Sequence, residues 1–200
     1  MDAFSERDKL ILASASPRRR ELLRAAGIDF DMLAANVAES SDSGGNPAKL
    51  AENNAVLKAS EVARRNPGRP VLGADTVVAL GGVVYGKPID VADAKKMLKI
   101  LRGRTHSVFT GVALVRNVGG ILRVASSSAE SKVAFKNLSD SDIDEYISKV
   151  DVMDKAGSYA AQECGSMIIE RIDGDFDNVM GLPMAIVKNL LDTELNRGHQ

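Results

Sequence analysis

One cysteine, two histidines and no tryptophan occur in the 200 residues, and each scarcity closes a route. Cys164 alone can form neither an internal disulfide nor a cysteine zinc cluster. His106 and His199 cannot pair as metal ligands at helical spacing, and His106, within a strand-like run, reads as a hydrogen-bonded structural residue. Without a placed histidine, a serine triad built on Ser14 or Ser16 has no base. Neither charge is in excess: 26 basic against 27 acidic residues argue against binding of nucleic acid or any bulk polyanion. No apolar run reaches membrane-spanning length, and the opening MDAFSERDK lacks a signal-peptide apolar core. A soluble, cytoplasmic protein with no membrane partner is expected. Walker A and strand-linked G-x-G-x-x-G motifs are missing too.

What is present alternates. Apolar, β-branched runs at 9–13, 71–80 and 83–85 are interleaved with helical patterns at 17–26, 47–65 and 91–102, which points to α/β. A short extended segment is expected within 30–37, and the polar stretch from Glu39 to Asn46 is a loop by composition. Residues 105–116 and 121–136 read as long strands joined through Val118-Gly119-Gly120, a hairpin signal. Ser139 opens a helix to about 149, residues 165–172 form another strand, Asp173-Gly174-Asp175 a turn, and Pro183 starts a final helix. The hairpin-rich middle predicts a mixed rather than purely parallel sheet. No linker separates autonomous domains, so residues 1–200 read as one domain.

Several residues fit poorly with a purely structural role. In LILASASPRRRELL, Ser16 is a good N-cap and Pro17 a good first helical residue, yet Arg18, Arg19 and Arg20 crowd the positive pole of the helix. An anion at that pole would resolve the repulsion. Asp75 lies in VLGADTVVAL with apolar residues on both sides; it either caps a turn at the strand end or acts at a cleft edge as base or metal ligand. Lys58 falls on the apolar stripe of Leu50, Ala51, Ala55, Ala59 and Val62, where it either snorkels or reaches an anion. Lys87, in the turn Tyr85-Gly86-Lys87-Pro88, is close in sequence to Asp75 across an expected hairpin, which favours both facing one site, though such a lysine is usually only solvated. Glu39 is ambiguous alone. The stretch Asp173-Gly-Asp-Phe-Asp-Asn178 loosely resembles a calcium loop, but its glycine is misplaced. Serines and arginines at a helix N-terminus, two lysines and two acids make up the chemistry of a polyphosphate site, with the carboxylates holding a divalent ion or deprotonating water.

These residues closely resemble the Maf family of nucleoside triphosphate pyrophosphatases. The blocks that carry the resemblance are SASPRRRELL (14–23), GADTVV (73–78), GKP (86–88), the segment around His106 and Thr110-Gly111, DKAGSYAAQ (154–162) and GDFDNVMGLP (174–183). The resemblance implies an α/β fold like that of inosine triphosphate pyrophosphatases, with a mixed, elongated sheet, flanking helices and two lobes around a deep cleft. Family members are often homodimers. It implies hydrolysis of a nucleoside triphosphate between the α and β phosphates with Mg²⁺ or Mn²⁺. Asp75 matches the catalytic carboxylate, Arg19, Lys58 and Lys87 the phosphate-contacting cations, and Glu39 a metal-side acid beside Asp75; Ser14 and Ser16 stand with them at the phosphate end. Arg18, Thr76 and Gln162 match members that prefer dTTP and UTP, whereas members acting on 7-methyl-GTP have an aromatic, Gln and Glu there. A Gln amide offers a donor and an acceptor to a pyrimidine edge. Two departures stand out: Glu163-Cys164 follow Gln162 where Gly is common, and NNAVLKAS replaces a charged pair before Lys-Ala. The alternatives are the same reaction on 7-methyl-GTP or a non-canonical purine, and a nucleotide-binding regulator of septum formation. A regulator that only bound a polyanion would not need an ionised carboxylate beside it.

Overall fold

The computed structural model describes residues 9–42 and 44–197; His199 and most of the opening segment lie outside them. Strand β1 (Leu10–Leu12) is buried throughout, and the alternation of a strand sends Leu10 and Leu12 to one core and Ile11 to another. Strand β3 (Pro70–Leu80) repeats the pattern, with Leu72 and Ala74 beside Leu10 and Leu12, and Val71 beside Ile11. β1 runs parallel to β2 (Phe30–Met32) and to β3. Beyond β3 every pairing is antiparallel: β5 (Thr105–Val118), β6 (Ile121–Phe135) and β7 (Ile169–Asp173), with β4 (Val83–Tyr85) folded back on β3. The result is a mixed seven-stranded sheet of order β2-β1-β3-β5-β6-β7, as the hairpin-rich middle predicts. The β5–β6 turn has φ of 60° at Gly119 and 87° at Gly120, the paired positive angles of a tight hairpin that side chains disfavour.

Helices cover the sheet. α1 (Pro17–Ala25) and α7 (Met184–Arg197) lie on one face, where Leu23, Leu182 and Val187 join the Leu10–Leu72 core. α2 (Pro47–Arg65) lies on the other, started by Asn46, whose side chain accepts from Lys49 N at 3.0 Å. α3 (Val91–Leu101) and α4 (Asp140–Lys149) are capped by Asp90 and by a Ser139–Asp142 capping box. With Phe135, Tyr146, Tyr159 and Ile168 they enclose a separate core at the far end of the sheet. β3 crosses between these two lobes. Leu72 and Ala74 belong to the first and Val78 to the second, so Asp75, Thr76 and Val77 sit at the crossing.

Three expectations are corrected. Residues 165–168 are a short helix, α5 (Gly165–Ile168), and the strand begins at Ile169. Cys164, at φ 53°, turns the chain into that helix, and an apolar run this short fits a helix turn or a strand equally well. After the turn at 173–175 comes a further short helix, α6 (Phe176–Met180), capped by Asp175. Of the segment 30–37 only Phe30–Met32 is strand.

Candidate active site

The cleft between the lobes has a volume of about 600 Å³, and every residue singled out from the sequence as a site candidate lines it. Its depth depends on two glycines. A Cβ on Gly73 would lie 2.3 Å from Ala55 O, and one on Gly111 2.3 Å from the Ala51 carbonyl carbon. Their absence, with the Ala51–Ala55–Ala59 stripe, lets α2 lie directly on β3 and β5. Asp75 is opposite Gly111 in the strand register and shares the α2 face with Gly73. Side chains one turn apart on α2 therefore reach it. Lys58 Nζ donates to Asp75 Oδ1 at 2.7 Å, and Asn54 Nδ2 donates to Asp75 Oδ2 at 3.0 Å.

The same helix holds the second acid. Lys58 Nζ lies 3.0 Å from Glu39 Oε1. Asn54 is bonded twice to the backbone of Ser40, donating to its carbonyl and accepting from its N–H, each at 3.0 Å. Asn54 thus fixes the Glu39 loop and the Asp75 carboxylate together. Burial pushes the Asp75 carboxyl up, but the Lys58 charge and hydrogen bond, Arg19 and the Asn54 bond outweigh it and hold it below the usual carboxylate range. Asp75 is ionised at neutral pH. Among the described residues no three His, Cys, Asp or Glu side chains cluster as metal ligands. The two acids nonetheless converge on one cation, the Lys58 ammonium. Two carboxylates completed by phosphate oxygens and water suit Mg²⁺, which keeps much of its hydration.

At the α1 end of the cleft the three arginines part company. Arg19 is turned into the protein: Nε donates to Gly181 O at 2.8 Å, Nη1 to Ala74 O at 2.9 Å and Ser14 Oγ at 3.3 Å, and Nη2 to Thr76 Oγ1 at 3.1 Å. Burial lowers its pKa without threatening a guanidinium. Thr110 gives its proton to Asn178 O at 2.8 Å, so Thr76 gives its own to Thr110 at 3.0 Å and accepts from Arg19. Arg19 and Thr76 therefore brace the floor as well as lining it. Arg18 faces the opposite lobe, with Nη1 3.7 Å from Asp154 Oδ2, and Arg20 does not line the cleft. Ser16 occupies the N-cap position but makes no side-chain cap; its own N–H donates to Ser14 Oγ at 3.1 Å. The opening N–H groups of α1 are left without that cap beside the cleft.

The far wall is a chain of side chains along residues 154–163. Lys155, 4% exposed, donates to Asp151 O and to Asp154 Oδ1 at 2.8 Å, and lies 3.7 Å from Glu163 Oε1. Glu163 Oε1 in turn accepts from Gln162 Nε2 at 3.3 Å. Behind this wall His106 Nε2 and the Tyr159 hydroxyl are 2.8 Å apart, the structural role expected of His106. Lys87 is exposed at the rim. Asn54, Asp154 and Lys155 were not singled out from the sequence. Asn54 carried a usable signal, a polar side chain on the α2 stripe one turn from Lys58; Lys155 carried none, since its partners come together only in the folded loop.

A profile of the family described as Maf-like protein matches residues 9–194. A dTTP/UTP pyrophosphatase of Akkermansia muciniphila is 45% identical over 92% of this chain and 95% of its own. One of Geobacter sulfurreducens is 44% identical over 91% and 94%, and one of Bacillus cereus (strain ZK / E33L) 39% over 96% and 98%. The solved structure of a HAM1 protein from Coxiella burnetii aligns at a TM-score of 0.43 and 22% identity, covering 64% of this chain and 73% of that one, a likeness too partial to speak to chemistry.

Proposed function

The chain belongs to the Maf-like protein family, and from that premise we propose that it hydrolyses dTTP and UTP to the monophosphate and pyrophosphate in the cleft at the β3 crossing. It is a nucleoside triphosphate pyrophosphatase. Arg19, Lys58 and Lys87 bring positive charge to a triphosphate, and the uncapped start of α1 offers backbone N–H groups. Asp75 accepts the proton of the attacking water while the water oxygen bonds to the α-phosphorus and the bridging oxygen leaves with pyrophosphate. The charges that keep Asp75 ionised also make it a weak base, so its contribution comes from fixed position more than basicity. Asn54 supplies that fixity. Glu39 and Asp75 are the residues that would hold a divalent ion, whose contribution when bound is to neutralise charge on the phosphates. Gln162, Arg18 and Thr76 stand where the base is read. The substrates are free nucleotides of the cytoplasm, and among the described residues no helix is long and apolar enough to cross a membrane.

The observation that carries this reading is an ionised, nearly buried carboxylate at the floor of a cation-lined cleft. Such a charge opposes mere binding of a polyanion and serves its hydrolysis. The experiment is pyrophosphate release from dTTP, UTP, CTP, GTP, ITP and 7-methyl-GTP with Mg²⁺ or Mn²⁺, beside Asp75→Asn. Turnover of dTTP and UTP, lost in the variant, is expected. Turnover confined to 7-methyl-GTP or ITP would overturn the pyrimidine assignment, and tight binding without pyrophosphate would overturn the reaction.

A further inference from the structure

We propose that Lys58 is a displaceable internal counter-ion, whose ammonium bridges Glu39 and Asp75 in the nucleotide-free protein and stands where a divalent cation would join them. Its two contacts, 2.7 Å to Asp75 Oδ1 and 3.0 Å to Glu39 Oε1, are short charge-assisted bonds on a side chain only 12% exposed. A second cation cannot share those oxygens at that separation without strong repulsion. The carboxylate pair is therefore closed to metal until Lys58 is given other anionic oxygens, which a polyphosphate in the cleft provides.

Two features make the exchange workable. Lys58 has a long flexible stem and rotatable donors, so it can swing from carboxylate to phosphate with no movement of α2. Asn54 keeps hold of Asp75 Oδ2 and of the Ser40 backbone when Lys58 leaves, so the vacated oxygens keep their places. Metal and nucleotide then bind with positive coupling, each raising the affinity of the other. The free enzyme holds no metal in reserve, and the charge of the acids is masked until substrate arrives. The proposal rests on reading the cleft as a site for a triphosphate and a divalent ion.

The test is Mn²⁺ binding, followed by the loss of the free-ion electron paramagnetic resonance signal, with no turnover involved. Nucleotide-free wild-type protein is expected to bind Mn²⁺ weakly, and Lys58→Gln about tenfold or more tightly, within the usual range of coupling between sites. Glutamine keeps an N–H for Asp75, so the fold is retained better than with methionine, and thermal unfolding checks it. Glu39→Gln added to Lys58→Gln should abolish the gain. Lys87→Gln, which removes a rim cation that forms no ion pair with Glu39 or Asp75, should leave Mn²⁺ affinity within about twofold, separating displacement from a general change in field. If Lys58→Gln does not fold, Glu39→Gln alone decides: wild-type protein saturated with α,β-methylene-UTP should bind Mn²⁺ and lose most of that affinity in the variant. Unchanged or weaker Mn²⁺ binding in folded Lys58→Gln, with the wild type binding Mn²⁺ beside α,β-methylene-UTP, overturns the counter-ion and leaves the enzyme reading standing. Failure to bind Mn²⁺ even beside that analogue overturns both.

Discussion

On the α2 wall of the cleft, Asn54 and Lys58, from a helix seated against two glycines, reach Asp75 of β3 at 3.0 and 2.7 Å, and all three are mostly buried. On the facing wall, Arg18 and Asp154 lie 3.7 Å apart and Gln162 and Glu163 3.3 Å apart. Asp154 and Glu163 are open to solvent, Arg18 and Gln162 half-buried, and Lys155 is buried 2.8 Å from Asp154. On the first wall Asp75 and Asn54 tolerate almost no displacement, because Asn54 ties the carboxylate to the Ser40 backbone, and only the Lys58 side chain is free to swing. The second can be rearranged at small cost, since exposed ion pairs contribute about 0–1 kcal/mol each. On the proposed reading, the bond-breaking end of the substrate would meet the rigid wall and the base the adjustable one.

The largest effects should come from breaking the rigid wall. Asp75→Asn removes the proton acceptor, and pyrophosphate release should fall by about 10²–10⁴ with little change in thermal midpoint. Asn54→Ala frees both the Glu39 loop and Asp75 and should lower kcat by about tenfold or more, with a smaller change in KM; an unchanged kcat would show that α2 packing alone positions the acids. Gly111→Ala drives a methyl into the α2 backbone and should cost about 1–3 kcal/mol by denaturant unfolding, together with activity.

The far wall has a pH-sensitive prop behind it. Burial holds His106 near a pKa of about 4, against 6.5 when unfolded. Its folded pKa is the lower one, so the unfolded chain takes up the proton first. The associated stability is intact above about pH 6.5 and lost as pH falls towards 4, by about 3 kcal/mol in full. Urea unfolding between pH 7 and 4.5 should show this slope, and His106→Phe should flatten part of it.

At the adjustable wall, Glu163→Gly should change the ratio of UTP to CTP turnover by no more than about fivefold and leave kcat for the better substrate nearly unaltered, the scale of an exposed contact. A loss of all turnover would place Glu163 in the chemistry and dissolve the contrast between the walls.

Much of the rigid wall was legible in the sequence because its anomalies are local. A carboxylate inside VLGADTVVAL and a lysine on an alanine stripe violate the burial pattern of their own elements, whatever surrounds them. The boundaries of α2 were legible too, since Asn46-Pro47 starts a helix and Asn66-Pro67-Gly68 stops one. The contacts of the far wall were not: Gln162 stood out only through the family blocks, and Lys155 and Glu163 acquire partners only when residues 151–164 fold back on themselves. The Arg18-Arg19-Arg20 run was legible as an anomaly but not in its resolution. Repulsion at a helix pole signals that partners exist, and the fold decides that Arg19 spends its donors on Gly181, Ala74, Ser14 and Thr76 while Arg18 turns to Asp154. The short helix at 165–168 shows the same limit, four residues being too few for a period to declare itself.

In the proposed reaction water attacks the α-phosphorus beside Asp75. The measurement is a single turnover of UTP in H₂¹⁸O with excess enzyme and Mg²⁺, followed by mass analysis of both products. One ¹⁸O in the monophosphate and none in pyrophosphate is the predicted result, with no label transferred by Asp75→Asn on the same timescale. Label in pyrophosphate, or in inorganic phosphate with a diphosphate left behind, would contradict it.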